Sequence, residues 1–228
     1  MRGQDAQRDN RSRRLRRLRR DELPVGTMEL ARYLIGKTLV HDTPLGRLSG
    51  RIVETEAYPL GDASAHAHRG ETPGNRSLFL ERGHAYVFFT YGSSFMMNVS
   101  AETPGVGGGV LLRALEPLEG VAQMQRNRGV TQLRDLTRGP GRLAAAMGID
   151  RRYDGVDLCA DGPLWLGAAV RPAGAVSKST RIGITRETHR VRRFYESGNP
   201  FVSGPQWLNV PQHRHRNARR RASAAKND

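Results

Sequence analysis

The sequence predicts a mixed α+β protein: a single compact domain in which helices surround a curved, mainly antiparallel sheet with a protruding β-hairpin, between two disordered basic tails. Three observations carry this prediction. Helix-like and strand-like periodicities are mixed along the body, no internal repeat is present, and positive charge is concentrated at the two ends. We therefore expect the middle of the chain to hold the fold and the ends to lie outside it.

The ends of the 228-residue chain carry most of its positive charge. Residues 1–20 have a net charge of +7 and residues 213–228 of +5, which leaves about +3 of the total +15 for the body. Arginine-rich runs repel themselves and bury little apolar surface, which predicts disorder. We expect a disordered arm over residues 1–20, a folded domain over residues 21–212 and a disordered tail over residues 213–228.

Contact with a polyanion is the use that the tails suggest. Two alternatives stay open. The tails could serve only solubility, or the arm could form a short amphipathic helix on an anionic membrane, since Leu15 and Leu18 would share a helical face. All but three of the 37 basic residues are arginine, which grips phosphate well, but GC-rich coding produces the same bias.

Two features of the sequence bear on location. No stretch of about 18 apolar residues exists, and the basic N-terminal residues are not followed by the apolar segment of a secretory signal. A single cysteine, Cys159, excludes a disulfide framework and a cysteine-rich metal site, and we expect it to be a core thiol. We expect a soluble protein of the cytoplasm that does not contact a membrane.

Capping and breaking residues locate the helices. The first is predicted from Thr27, which can cap it, to Gly36, with Leu30, Tyr33 and Leu34 on one apolar face. Two more are predicted from Pro117 to near Gly129 and from Pro140 to near Gly148. The predicted strands are residues 38–40, 48–58, 85–91, 95–100, 110–115 and 164–166.

The strand over residues 51–58 carries the first candidate chemistry. Its period-2 alternation places Glu54, Glu56 and Tyr58 on one face and Val53, Thr55 and Ala57 on the other. Carboxylates weaken phosphate binding, so their presence on a protein that binds polyanions suggests a catalytic task. The alternative is that both glutamates are solvated, and the strand considered by itself favours that interpretation.

Residues 61–76 form a long polar segment, a kind of connection that is often functional when a compact domain retains it. This loop could place His66 over a pocket. His68 and Asp62 lie near His66 in sequence, but no further ligands have the spacing of a metal site, so no metal is expected. The alternative is that both histidines are ordinary loop residues.

Residues 86–98 have the pattern of a β-hairpin, with turn-forming residues 92–94 between two apolar strands. Tyr91 lies beside the predicted tip. An exposed aromatic ring there could insert into a base stack and fill the space of a flipped nucleotide. The equal alternative is an aromatic residue that only packs in the core.

Several motifs resemble, in order and in spacing, the alkyladenine (3-methyladenine) DNA glycosylase family. They are Val53–Tyr58, Ala65-His66, Thr72–Arg76, Tyr91-Gly92, Met97-Asn98, Leu111–Pro117, Arg138–Leu143, Arg193–Tyr195 and Asn199–Ser203. The resemblance spans about residues 24–204 and leaves out both tails. So many co-linear motifs make chance a poor explanation.

The resemblance implies a base excision repair enzyme that flips a damaged purine out of duplex DNA and hydrolyses its N-glycosidic bond with an activated water. Candidate substrates are 3-methyladenine, 7-methylguanine, hypoxanthine and ethenoadenine. Carried over by position, Glu56 is the general base that directs water at C1′ and also stabilises the oxocarbenium-like state, while Arg113 helps to hold the water. The motif thus selects Glu56 over Glu54.

The resemblance also assigns the residues around the flipped base. Tyr58 would stack on one side of it and His66 with Phe88 on the other. Tyr91 matches the intercalating wedge of the family, and Asn98 matches the residue that crowds the 2-amino group of guanine.

The chain departs from the family pattern at two places. Phe88 stands where family members can carry tyrosine, which preserves stacking, while Ser93 and Ser94 replace bulkier residues and weaken the brace behind the wedge. Only Lys37 and Lys178 in the body could form a Schiff base, and neither lies in a family motif, so a monofunctional enzyme without lyase activity is expected.

Five residues are candidates for contacts with the DNA backbone. They are Tyr86, Ser93, Ser94, Gly139 and Arg142. Residues 138–141 open a predicted helix whose free N–H groups could meet a phosphate, and an ordinary loop and cap is the equal alternative. The expected partner is double-stranded DNA with a damaged purine, bound by a monomer without a cofactor or an obligate protein partner.

Two other functions compete with this one. The fold of the family is similar to the C-terminal domain of methionyl-tRNA formyltransferase, which binds RNA, so the chain could be a non-catalytic nucleic-acid-binding module. It could also be a small basic nucleoid protein. Neither alternative explains why Glu56, Tyr58, His66 and Arg113 occur together.

Overall fold

The computed structural model describes residues 15–90, 92–205 and 209. The helices are α1 (Thr27–Leu34), α2 (Val121–Arg128) and α3 (Pro140–Met147). The strands are β1 (Thr38–Thr43), β2 (Gly46–Tyr58), β3 (Ala85–Thr90), β4 (Ser94–Ser100), β5 (Gly109–Glu119), β6 (Leu164–Gly167), β7 (Val176–Ser179) and β8 (Arg193–Glu196). Residues 1–14 of the predicted arm, and all of the predicted tail, lie outside the described residues.

The strands form one curled antiparallel sheet with β2 at its centre. The order is β3-β4-β5-β2-β1-β6, with β8 beside β2 and β7 beside β8. One edge of β2 pairs with β5, while the other pairs with β1 over residues 46–51 and with β8 over residues 54–56. The segment with both glutamates is therefore held on both edges. The predicted α+β class with a curved, mainly antiparallel sheet is confirmed.

The helices pack on the sheet through one main core. Helix α1 lies on β2, α3 lies on β4 and β5, and α2 packs against α3. Leu30 and Leu34 of α1 are buried as predicted. Gly129 and Gly148 adopt left-handed conformations that end α2 and α3, also as predicted. In the described segments, no helix is long and apolar enough to cross a membrane.

The prediction that a helix starts at Pro117 is wrong. Pro117 lies within β5, and α2 begins only at Val121, after the left-handed Gly120. Proline is tolerated there because β4 pairs with β5 only from Gly109 to Leu111, which leaves the outer edge of β5 free at position 117. The pairing of β5 with β2 is also irregular close to this point.

The predicted hairpin is present, since Thr90 of β3 pairs with Ser94 of β4 across a short turn. Strands β7 and β8 were absent from the predicted set. Each has four residues and lacks a long apolar run, so neither has the pattern by which strands are recognised in a sequence.

The prediction of a disordered arm over residues 1–20 is wrong for its last residues, 15–20, which belong to the described fold. Leu18 is 1% exposed within the main core, and its amide donates to the Leu166 carbonyl at 2.8 Å. Arg17 bridges to Gly167 as extended chain rather than as part of an amphipathic helix. The physical reason is that this segment completes the edge of the sheet at β6, so that backbone hydrogen bonds and one buried leucine offset the cost of ordering.

Cys159 is the core thiol that the sequence predicts. It is partly buried and packs against the main core. Burial raises the pKa of its thiol to about 11. The thiol therefore stays protonated and unreactive at neutral pH.

Anchoring by Leu18 can be tested by truncating the side chain. We expect Leu18→Ala to lower the free energy of unfolding by about 2–3 kcal/mol in urea denaturation, because it removes buried methyl groups and leaves a cavity. Leu45→Ala is the matched control, since Leu45 is 76% exposed, and should change stability by less than about 0.5 kcal/mol. Equal effects of the two substitutions would contradict the docking of this segment.

Candidate active site

A cavity of about 900 Å³ opens between the sheet and two loops. Strand β2 contributes Tyr58, the hairpin contributes Phe88 and Asn98, and β5 contributes Arg113. The loop that carries His66 lines one part of the cavity, and residues 182–186 line another. The structure thus brings together Tyr58, His66, Phe88, Asn98 and Arg113 from five separate stretches of sequence.

Glu56 lies behind the wall of this cavity with no exposed surface. Its Oε2 atom accepts hydrogen bonds from the Tyr58 hydroxyl at 2.9 Å and from Nη1 of Arg113 at 3.2 Å. Its Oε1 atom accepts a hydrogen bond from the Ile182 amide at 2.7 Å. All three donors belong to residues that line the cavity. The carboxylate is therefore held by residues that border the cavity.

Arg113 joins Glu56 to the second glutamate of the strand. Its Nε atom donates to Glu54 at 3.0 Å. Glu54 also accepts hydrogen bonds from Nε of Arg193 at 2.6 Å and from the amide and hydroxyl of Ser203 at 2.6 and 2.9 Å. Both glutamates are fully buried, so the interpretation that they are solvated is wrong.

The surroundings shift the pKa values of the two glutamates in opposite directions. Burial alone would raise the pKa of Glu54, but the guanidinium groups of Arg113 and Arg193 outweigh it and hold that pKa below its usual range. For Glu56, burial outweighs the attraction of Arg113, and its pKa lies above the usual range. Glu54 is thus a fixed anion that holds Arg113, while Glu56 is a carboxylate suited to accept a proton.

Tyr58 has a polar and an aromatic role in this arrangement. Its hydroxyl is bound to Glu56, and burial raises its pKa, so that the group remains a donor. The Arg181 guanidinium lies 4.5 Å from the centre of its ring. The ring therefore has its position fixed from two directions.

His66 and Phe88 form an aromatic group that borders the cavity. The two rings meet edge to face, with centroids 4.4 Å apart. Nδ1 of His66 lies 2.8 Å from the Tyr86 hydroxyl, and the Tyr86 ring stacks against Phe88. The surrounding protein lowers the pKa of His66, which favours the neutral imidazole. Tyr86 itself is 3% exposed and supports His66, and its contact with a DNA backbone stays a prediction.

The hairpin lies beside the cavity. Asn98 is 6% exposed and lines the cavity. Ser93 is exposed in the turn, whereas Ser94 faces the start of α3, since a Cβ atom on Gly141 would lie 3.0 Å from that of Ser94. A small residue at position 94 therefore suits the close approach of α3. Tyr91 lies outside the described residues, so wedge and core packing both stay open for it.

At the start of α3, residues 138–141 were predicted to present free N–H groups or an ordinary cap, and the Gly139 amide is not one of the free groups. That amide donates to the Thr137 carbonyl at 3.1 Å. The Arg138 side chain donates to the carbonyls of Val202 and Gly204 and so holds the chain beyond β8. Arg142 is exposed and lies 3.6 Å from Asp135, so its guanidinium is accessible to a ligand.

Asp62, which lies near the two loop histidines in sequence, is paired with arginines. Arg181 and Arg192 both bind its carboxylate. Among the residues that the structure describes, no group of histidine, cysteine, aspartate and glutamate side chains is arranged to hold a metal ion.

Several contacts of the site were not predicted from the sequence, among them three that hold the glutamates. Arg193 and Ser203 hold Glu54, and both lie in motifs that the sequence analysis singled out, so a signal existed without an assigned role. The third is the Ile182 amide, which holds Glu56. A backbone amide leaves no mark on residue type, so no local pattern could have revealed it.

Comparisons with known proteins show the family to which this chain is similar. The family model described as Methylpurine-DNA glycosylase matches residues 22–200. A protein of Mesorhizobium japonicum named "Putative 3-methyladenine DNA glycosylase" is 64% identical over 83% of this chain and 91% of its own length. Relatives with the same name in Paraburkholderia phytofirmans and Chlorobaculum tepidum are 56% and 42% identical, over 85% and 84% of this chain and 91% and 93% of their own.

Opposite pKa shifts predict opposite pH dependences of stability for two matched substitutions. Glu54 has a lowered pKa, so it stabilises the fold above the pKa of an unfolded glutamate and loses this effect as the pH falls. Glu54→Gln should therefore cost most at neutral pH, about 3 kcal/mol, because it leaves buried guanidinium charge uncompensated. Glu56 has a raised pKa, so its ionisation opposes folding as the pH rises through that value.

As the pH rises above about 4.5, the pKa of an unfolded glutamate, Glu56→Gln should gain stability relative to the wild type, while Glu54→Gln loses it. Urea denaturation of the three proteins at several pH values measures both trends. Parallel trends for the two variants would show that the glutamates do not differ in this way.

Proposed function

The chain belongs to the methylpurine-DNA glycosylase family, and on that premise we propose that it flips alkylated or deaminated purines out of duplex DNA and hydrolyses their N-glycosidic bond. A DNA glycosylase is a hydrolase of DNA repair, which is the general activity of this family. The finer proposal covers 3-methyladenine, 7-methylguanine, hypoxanthine and ethenoadenine. The burial of Glu56 between Arg113, Tyr58 and Ile182 is the observation that carries it.

Glu56 is the general base in this proposal. A water molecule between Glu56 and the nucleotide attacks C1′, its proton passes to the carboxylate, and the electrons of the glycosidic bond leave with the base. The raised pKa of Glu56 supports this role, because it brings the basicity of the carboxylate closer to working pH. As an anion, Glu56 also stabilises the positive charge that develops on the sugar. Arg113 orients the water and the carboxylate.

In this proposal the cavity holds the flipped purine between aromatic groups. Tyr58, His66 and Phe88 all line it, and the family resemblance assigns Tyr58 to one side of the base and His66 with Phe88 to the other. Electron-poor alkylated purines gain most from such stacking. The neutral imidazole of His66 avoids placing a cation beside a base that already carries positive charge. Asn98 would exclude guanine by crowding its 2-amino group.

DNA is held, in this proposal, by arginines at the cavity and by the hairpin. Arg69 and Arg186 line the cavity and are exposed, so both can reach phosphates beside a flipped nucleotide. Arg142 and Ser93 are further candidates. Tyr91 would fill the space that the flipped nucleotide leaves, with Ser93 and Ser94 as a small brace behind it.

We propose an enzyme without lyase activity that acts as a monomer and leaves an intact abasic site. The two lysines in the body support this, since neither lines the cavity. Nζ of Lys37 lies over the ring of Tyr33, and that of Lys178 over the ring of Phe194. Schiff-base chemistry would need an amine at the sugar.

Removal of the carboxylate tests the general base. We expect Glu56→Gln to slow single-turnover excision of hypoxanthine and 3-methyladenine from duplexes about a thousandfold, since general base catalysis supplies that order of rate. Glu119→Gln makes the same change at an exposed position of β5 and should leave the rate unchanged. Equal rates for wild type and Glu56→Gln, or no excision of any alkylated or deaminated purine by the wild type, would favour the non-catalytic alternative.

The salt dependence of binding tests the phosphate contacts. Each of Arg69→Gln and Arg186→Gln should reduce the slope of log Kd against log salt by about 0.9, because each removes one phosphate contact. Arg32→Gln is the matched control. Arg32 is exposed on α1, and α1 packs on the face of β2 that carries Thr55, whereas Glu56 and Tyr58 belong to the other face. Slopes that are unchanged for both cavity arginines would remove them from the DNA interface.

A further inference from the structure

Arg181 is an unexpected member of the site, because its side chain has no exposed surface. It is paired with Asp62, and its Nη1 atom donates to the Ala57 carbonyl at 3.0 Å. Its guanidinium lies 4.5 Å from the centre of the Tyr58 ring. Burying a charged pair is costly, so a structural purpose alone is a weak reason for a fold to keep one.

Asp62 is the fixed point of this pair. Its carboxylate has no exposed surface and also accepts hydrogen bonds from Nη1 of Arg192 at 2.7 Å and from the hydroxyl of Ser64 at 2.6 Å. Burial alone would raise the pKa of Asp62, but the hydrogen bonds from Arg181 and Ser64 lower it to about 2. Asp62 is therefore charged at any pH at which the enzyme works, and the pair is permanent.

The contacts of Arg181 converge on Glu56 by two routes. The first runs through the Tyr58 ring, whose hydroxyl donates to Oε2 of Glu56. The second runs along the chain to the next residue, Ile182, whose amide donates to Oε1. Arg181 thus fixes one donor for each carboxylate oxygen, while Asp62 ties Arg181 to the loop that carries His66.

We propose that the Arg181–Asp62 pair is a positioning device for Glu56, which fixes both the Tyr58 hydroxyl and the Ile182 amide against its carboxylate. Arg181 does not line the cavity, so it acts through these two groups and not on the substrate. This inference rests on the proposed function for its catalytic meaning. Its physical content, the geometry around Glu56, can be measured without substrate.

The charge state of Glu56 reports on this geometry. The groups that face it are Arg113 from β5, Glu54 and Tyr58 from β2, and the Ile182 amide, while Arg193 from β8 faces Glu54. The Tyr58 and Ile182 hydrogen bonds favour the ionised carboxylate. If Arg181 holds them in place, its loss weakens both, and the pKa of Glu56 rises further.

The experiment is a carboxyl ¹³C NMR titration of the full chain labelled at its glutamate side chains, with the Glu56 resonance assigned through Glu56→Gln. Arg181→Gln should raise the pKa of Glu56 by about one unit, as expected for the loss of hydrogen bonds to the charged form. Arg192→Gln is the matched control. Arg192 also binds Asp62, but among the described residues its side chain contacts neither Tyr58 nor Ile182. Its substitution should therefore leave the pKa of Glu56 unchanged.

An unchanged Glu56 pKa in folded Arg181→Gln, or equal shifts in both variants, overturns the proposal. Should Arg181→Gln fail to fold, Arg181→Lys decides: it keeps the charge beside Asp62 but loses the planar donor set, and should shift the pKa in the same direction by less. Single-turnover excision in parallel should be about tenfold slower for Arg181→Gln than for Arg192→Gln. Absence of wild-type excision would reject the proposed function, while the titration would still decide the role of the pair.

Discussion

The site depends on one guanidinium, that of Arg113, held between two carboxylates of the same strand. Four charged side chains meet there: Glu54, Glu56, Arg113 and Arg193. Each charge would be costly to bury alone, and together they nearly cancel. Because Glu54 is already shared by Arg113, Arg193 and Ser203, it stays ionised and keeps Arg113 in place. Glu56 is less fully compensated, and that difference makes it the more basic of the two.

The sheet topology is what makes this arrangement possible. Residues 54–56 of β2 are paired with β5 on one edge and with β8 on the other, so Arg113 and Arg193 arrive from opposite sides. The pairing of β2 with β5 also contains a β-bulge close to Glu54, since its register shifts between Ile52 and Glu54. The bulge explains why Val53 departs from simple alternation: it packs with Ala114, Tyr195 and Val202, while Ala57 lies in the main core.

Whether a feature of the fold or the site could be predicted from the sequence depends on how far apart in the chain the interacting residues lie. Elements with local signals were predictable, such as the hairpin and the helices that end at Gly129 and Gly148. Alternation correctly placed Glu54, Glu56 and Tyr58 together, although their burial depends on strands far away in the sequence. The prediction of a helix start at Pro117 was wrong because a proline can lie in β5 only where β4 no longer pairs with that strand, which the local sequence does not reveal. Leu18 was missed because its partner is the edge of β6.

The proposal of Glu56 rather than Glu54 as the base is argued from the sequence by one route and from the contacts of the two carboxylates by another. The family motif selects Glu56 by position, without reference to its surroundings. The structure separates the two by their partners: Glu54 is saturated by charged and neutral donors, while Glu56 receives one guanidinium, one hydroxyl and one amide. A carboxylate with more donors is a weaker base. In the proposed mechanism Glu54 therefore organises the site, while Glu56, beside the cavity, is the more basic of the two carboxylates.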